Sequence, residues 1–131
     1  MLILLRLLTI LLGLPTLIIG LGWWFYPNET AHLLGATLLE GTGRSAQIGD
    51  SGAFFIGAGA ILVWGAIKAN AQLIYVGGCL VGLVIPGRVL SAIAHGGAWT
   101  TNELAGETFV LAVAAITAYA LNQRANQTIL D

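Results

Sequence analysis

Charge is scarce in this sequence. Only 8% of its 131 residues are Asp, Glu, Lys or Arg, against about 25% in an ordinary soluble domain, so the chain cannot cover itself with a water-facing surface. The few charges nearly cancel: five Lys and Arg stand against six Asp and Glu, a formal net charge of -1. No basic field exists to hold nucleic acid, or to grip anionic lipid by charge alone. Cys79 is the single cysteine, which excludes a disulfide scaffold. No run reads as a strand, so no phosphate-cradling glycine motif follows one. Disorder is excluded by the opposite excess, since 57% of the residues are hydrophobic and the mean hydropathy is +0.88.

What is present is hydrophobic length, cut by the rare charges into runs that can be compared with the roughly 20 residues a helix needs to cross a bilayer. Four runs pass: about 4–25, 44–67, 71–95 and 103–123. These lengths favour helices over barrel strands. The first run continues through Ile18 and Ile19 into Trp23, Trp24, Phe25 and Tyr26, too long for a signal peptide, and reads as an uncleaved helix with an aromatic anchor. The expected fold is a single all-α domain, an integral membrane bundle of four transmembrane helices. A short interfacial amphipathic helix follows the first, at about 29–40: Asn28 would cap it, Leu33, Leu34, Thr37 and Leu38 would share a face, and Gly41 or Gly43 would end it. It would lie on the outer leaflet as a lid, or gate a binding site beneath.

With four crossings, Arg6, Lys68 and Arg124 share one side, and Arg44, Glu29, Glu40 and Glu103 the other. The positive-inside bias then places both termini in the cytoplasm. Trp23, Trp24, Tyr26 and Trp99 are expected at the outer interface, with Trp64, Tyr75 and Tyr119 at the inner one.

Many of the 18 glycines fall inside the spans. In lipid, small residues let helix backbones approach. The expected packing positions are Gly78 and Gly82 in a GxxxG, Gly57 in a stripe with Ala53 and Ile61, and Ala114 with Ala118. These faces close one bundle, or are kept for another copy or a larger membrane complex.

The informative residues are the polar ones inside the spans. Only about 16 uncharged residues separate Glu107 from Arg124, too few to cross alone, so Glu107 belongs within the bilayer. Arg88 and Asp50 fall at a similar depth, about 9 or 10 Å below the outer surface at 1.5 Å per helical residue. A lone charge at a helix centre costs about 2.5–3.5 kcal/mol, so such residues turn inward to find partners. Arg88 can offer its planar fork to Glu107, Asp50 or both, with Ser91 and His95 continuing its face toward the mouth. Pro86 cannot donate to the carbonyl of Gly82, so the third helix should bend just before Gly87 and Arg88. The charges either staple the bundle, or line a pocket for a polar head, or carry proton-transfer chemistry. His32 and His95 match no known metal or haem spacing, so no metal and no cofactor is expected. Cys79 reads as a small apolar residue rather than a nucleophile.

The run GRSAQIGDSGAFFIGAGAIL, then PGRVLSAIAHGG, then ELAGETFVLAVAAITAYAL resembles the small bacterial four-helix membrane proteins grouped as domain of unknown function 4345. The matching positions are Arg44, Gly52 and Gly57, then Gly87 and Arg88, then Gly96 or Gly97, and Glu103 or Glu107. The resemblance spans residues 40–122. It implies a bacterial inner-membrane bundle and no particular reaction.

Two functional expectations follow. In the first, the protein is a binding module or accessory subunit that holds a membrane lipid, a quinone or a similar amphiphile beside Arg88, with Glu107 and Asp50 orienting the head and His95 or Trp99 at the mouth. In the second, it is a membrane enzyme in which Glu107, with His95, moves a proton on a lipid-soluble substrate. Transport has less support, since the halves show no inverted repeat.

Overall fold

The structure, a computed structural model, describes residues 1–130, with side chains as far as Gln127. The chain is all-helical and forms a bundle, with no strand among the described residues: α1 Leu2–Phe25, α2 Pro27–Leu33, α3 Gly41–Lys68, α4 Ala71–Gly82, α5 Val84–Ala94 and α6 Thr101–Leu130. Four helical segments are long and apolar enough to cross a membrane: Leu2–Phe25, Gly41–Lys68, Ala71–Ala94 and Thr101–Gln127. Ile3, Leu11, Ile18, Ile93 and Ile116 are exposed along them, as expected of surfaces that meet hydrocarbon rather than water.

The helices meet through their smallest residues. α1 packs along α3, where a Cβ on Gly20 would strike the backbone nitrogen of Ile56, and one on Gly59 would strike that of Leu17. Gly65 lies against Ile74, Gly77 against Leu62, Gly78 against Ala114, and Gly82 against Leu111. Close backbone approach replaces the hydrophobic drive that helices lack in lipid. Gly78, Gly82, Ala114 and the buried Ala118 therefore sit at helix contacts. Gly57 does not: nothing lies within 4 Å of where its Cβ would be, and Ala53 beside it in the expected stripe is exposed. The face of α3 that touches its neighbours carries Gly52, Gly59 and Gly65 instead.

Polar contacts close the opposite end of the bundle from α2. Arg6 donates from Nε to the carbonyl of Ala66 at 2.7 Å and from Nη2 to that of Ile67 at 2.9 Å. It thereby adds donors to carbonyls in the last turn of α3, that of Ala66 also accepting from the Ala69 amide at 3.3 Å. Lys68 lies 4.8 Å over the ring of Trp64. The hydroxyls of Thr9 and Thr117, both buried, are 3.1 Å apart and tie α1 to α6.

The short helix departs from expectation in extent. Pro27, rather than a capping Asn28, opens it at the first turn, where a missing N–H costs nothing. It ends at Leu33 because Gly35 adopts φ +67, and residues 36–40 run on without helix. Gln47 binds this strap at two points, accepting from the Leu39 amide at 2.9 Å and donating to the Thr37 carbonyl at 3.2 Å. Arg44 donates from Nε to the Leu39 carbonyl at 2.8 Å. The third span is broken at Leu83, ahead of Pro86, giving α4 and α5 as separate segments. α4 is packed between α3 and α6, whereas α5 makes its main contacts, sparse ones, with α4 and α6 and contributes no buried residue.

Candidate functional site

Because α5 stands away from α3, a cleft remains at the α2 end of the bundle. It comprises two adjoining chambers of about 320 and 490 Å³ that share Leu34, Phe54, Phe55, Val84, Arg88 and Glu103. The first is walled further by Leu12, Pro15 and Ile19 of α1 and by Gly106, Glu107 and Phe109 of α6. The second adds Trp23, Gln47, Asp50 and Ser51, with Ala36 of the strap. Leu34 and Ala36 thus bring the segment after α2 onto the cleft, and Gln47 both lines it and pins the strap.

The polar centre is a pair. Arg88 donates from Nε to Oε1 of Glu107 at 2.7 Å, and its Nη1 lies 3.4 Å from the hydroxyl of Thr100. The side chains are partly withdrawn from the surface, 31% exposed for Arg88 and 14% for Glu107. The second carboxylate oxygen of Glu107 is buried and has no hydrogen-bond partner. So has the indole Nε1 of Trp23, a residue only 3% exposed. A buried polar atom without a partner costs about 1–3 kcal/mol, so two of them on residues lining one cleft require an explanation.

The expected site residues separate into two groups. Arg88 and Glu107 are in contact, and Asp50 shares the cleft with Arg88. Asp50 is exposed, however, and among the described residues it has no ion-pair or hydrogen-bond partner. The fork of Arg88 is turned to α6 and Thr100 instead, because both lie on the chain that immediately follows α5. His95 and Trp99 are exposed and line neither chamber: α5 ends at Ala94, and the loop beyond it carries them off the cleft. No group of His, Cys, Asp or Glu among the described residues converges as a metal site would.

Several lining residues were not legible as such. Trp23 sits in a run of aromatics at a helix end, the usual mark of an interfacial anchor, yet it is buried while Trp24 beside it is half exposed. Phe54 and Phe55 pack edge to face at 5.3 Å and form the shared wall. Neighbouring aromatics inside an apolar span carry no sequence signal that separates a cavity wall from a lipid-facing surface.

Comparison with protein families, curated proteins and solved structures returns no match.

Proposed function

We propose that this protein is a non-enzymatic binding module of the membrane that holds a lipid-like amphiphile in the cleft between α3 and α5, its polar head beside Arg88 and Glu107 and its chain along Phe54, Phe55 and the apolar wall of α1. The observation that carries this reading is the unpartnered Oε2 of Glu107, a residue on the wall of a chamber whose remaining lining is mostly apolar. Few precisely placed polar groups in an apolar cavity are the ordinary makeup of a ligand site. The sparse contacts of α5 supply an opening toward the surrounding lipid.

The orientation that goes with this reading puts the α2 end outside and both termini in the cytoplasm, by the positive-inside bias. It is supported by Arg6 at the end of α3, Lys68 beside it, and Arg124 in one groove with Met1 and Leu5. Kinship with the bacterial four-helix proteins grouped as domain of unknown function 4345 is part of the same proposal, with Glu107 the better match for the family glutamate since it, and not Glu103, holds Arg88. Proton-transfer chemistry loses support, because Glu107 is engaged with Arg88 and the imidazole of the exposed His95 has no hydrogen-bond partner among the described residues.

The test is native mass spectrometry of protein extracted gently from its own membrane. Wild type should carry a small amphiphile, and a folded Arg88→Leu variant should lose it. Equal ligand content in the two would sink the proposal, and a stoichiometric partner chain without ligand would replace it with an accessory-subunit role.

A further inference from the structure

The charge on the cleft wall is lopsided. Three carboxylates, Asp50, Glu103 and Glu107, line the two chambers with a single cation, Arg88. Arg88 gives Nε to Glu107 and Nη1 to Thr100, so its charge is largely offset and Nη2 is left to donate. Asp50 and Glu103 have no partner among the described residues. Next to low-dielectric walls, that excess attracts a positive group and repels a negative one. Glu107 on the wall of the first chamber also has a buried Oε2 without a donor, and an ammonium carries three donors. A metal ion is a poorer candidate for the positive group, because these carboxylates do not converge into a ligand cluster.

Trp23 supplies an independent constraint of the opposite sign. It is 3% exposed, lines the chamber that also holds Asp50, and its indole N–H has no acceptor. An indole N–H donates only. A head that satisfied both orphans would present a donor-rich cation and an oxygen acceptor.

We propose, building on the amphiphile reading above, that the cleft selects lipids whose head joins a protonated amine to a phosphate or ester oxygen, and rejects heads of net negative charge. The amine sits beside Glu103, which lines both chambers, with Asp50 on the wall of one chamber and Glu107 on the wall of the other. The oxygen acceptor faces Trp23 and the free edge of the Arg88 fork. The acyl chain leaves past Phe54 and Phe55 toward the gap at α5.

The full chain, purified and delipidated, is titrated with phosphatidylethanolamine and with phosphatidylglycerol of identical acyl chains, and bound lipid is read by native mass spectrometry. Wild type should prefer the ethanolamine lipid by about tenfold, which corresponds to about 1.4 kcal/mol. The double variant Asp50→Asn, Glu103→Gln should keep its fold, since both side chains are exposed, and lose most of that preference. Each single variant should lose part of it. Equal or stronger retention of phosphatidylglycerol by wild type, with retention still dependent on Arg88, would overturn the head-group assignment and leave the amphiphile site standing. Retention of both lipids unaffected by Arg88→Leu would overturn both.

Discussion

Arg88 reaches Glu107 at 2.7 Å with one nitrogen, while the far oxygen of the same carboxylate is left buried and unpaired. The pair is thus only half used for holding the bundle together, and its two roles can be separated by mutation. Removing one partner of a fully buried pair costs about 3–5 kcal/mol and an exposed pair is worth about 0–1, so this partly exposed pair falls between. Arg88→Met alone should lower stability by about 1–3 kcal/mol, because it strands the Glu107 charge. Arg88→Met together with Glu107→Leu should recover much of that loss, measured by reversible unfolding in mixed micelles. If the two losses simply add, the contact contributes nothing and the cleft alone accounts for both residues.

The number of spans and the helical class could be read from the spacing of charges, because a bilayer sets one length and charges are excluded from it. Which glycines touch could not. Gly57 and Gly59 stand two residues apart on α3, and no pattern in the sequence distinguishes them. Helix rotation does: Gly59 is buried against the backbone of α1 and Gly57 faces open space. Gly59→Ala should therefore overpack the α1–α3 contact at a cost of about 1–3 kcal/mol. Gly57→Ala should be neutral or stabilising by up to about 1 kcal/mol, the ordinary gain of Ala over Gly in a helix. Thermal unfolding of both variants in the same detergent checks the difference. Equal losses would mean that α3 is rotated, or that the Gly57 face is occupied in the membrane.

The site was legible only in part, for a related reason. Intramembrane charge marked Arg88, Asp50 and Glu107 as residues needing partners, but depth alone could not say which of them meet. Arg88 chose the carboxylate on the next helix in the chain, where the short loop after α5 also brings Thr100 alongside. Asp50, on α3, was left across the gap that the break at Leu83 opens. Pro86 foretold a bend in the third span. That the bend would pull α5 away from α3 depends on packing among four helices, which no local pattern encodes.

Topology offers the sharpest external check on the whole arrangement. Arg6 bound to the last carbonyls of α3, with Lys68 beside them, gathers basic side chains at the end away from α2. The positive-inside bias predicts that this end faces the cytoplasm. In a Cys79→Ala background, Thr37→Cys in the strap and Ala98→Cys after α5 should react in intact bacterial cells with a membrane-impermeant maleimide, since both residues are exposed. Ala69→Cys, in the exposed turn after α3, should react only once the membrane is permeabilised. The reverse pattern would turn the cleft to the cytoplasmic leaflet and change which lipids can reach it. Labelling of Thr37→Cys and Ala98→Cys from opposite sides would be more damaging, because the two spans between those loops must return the chain to the same side.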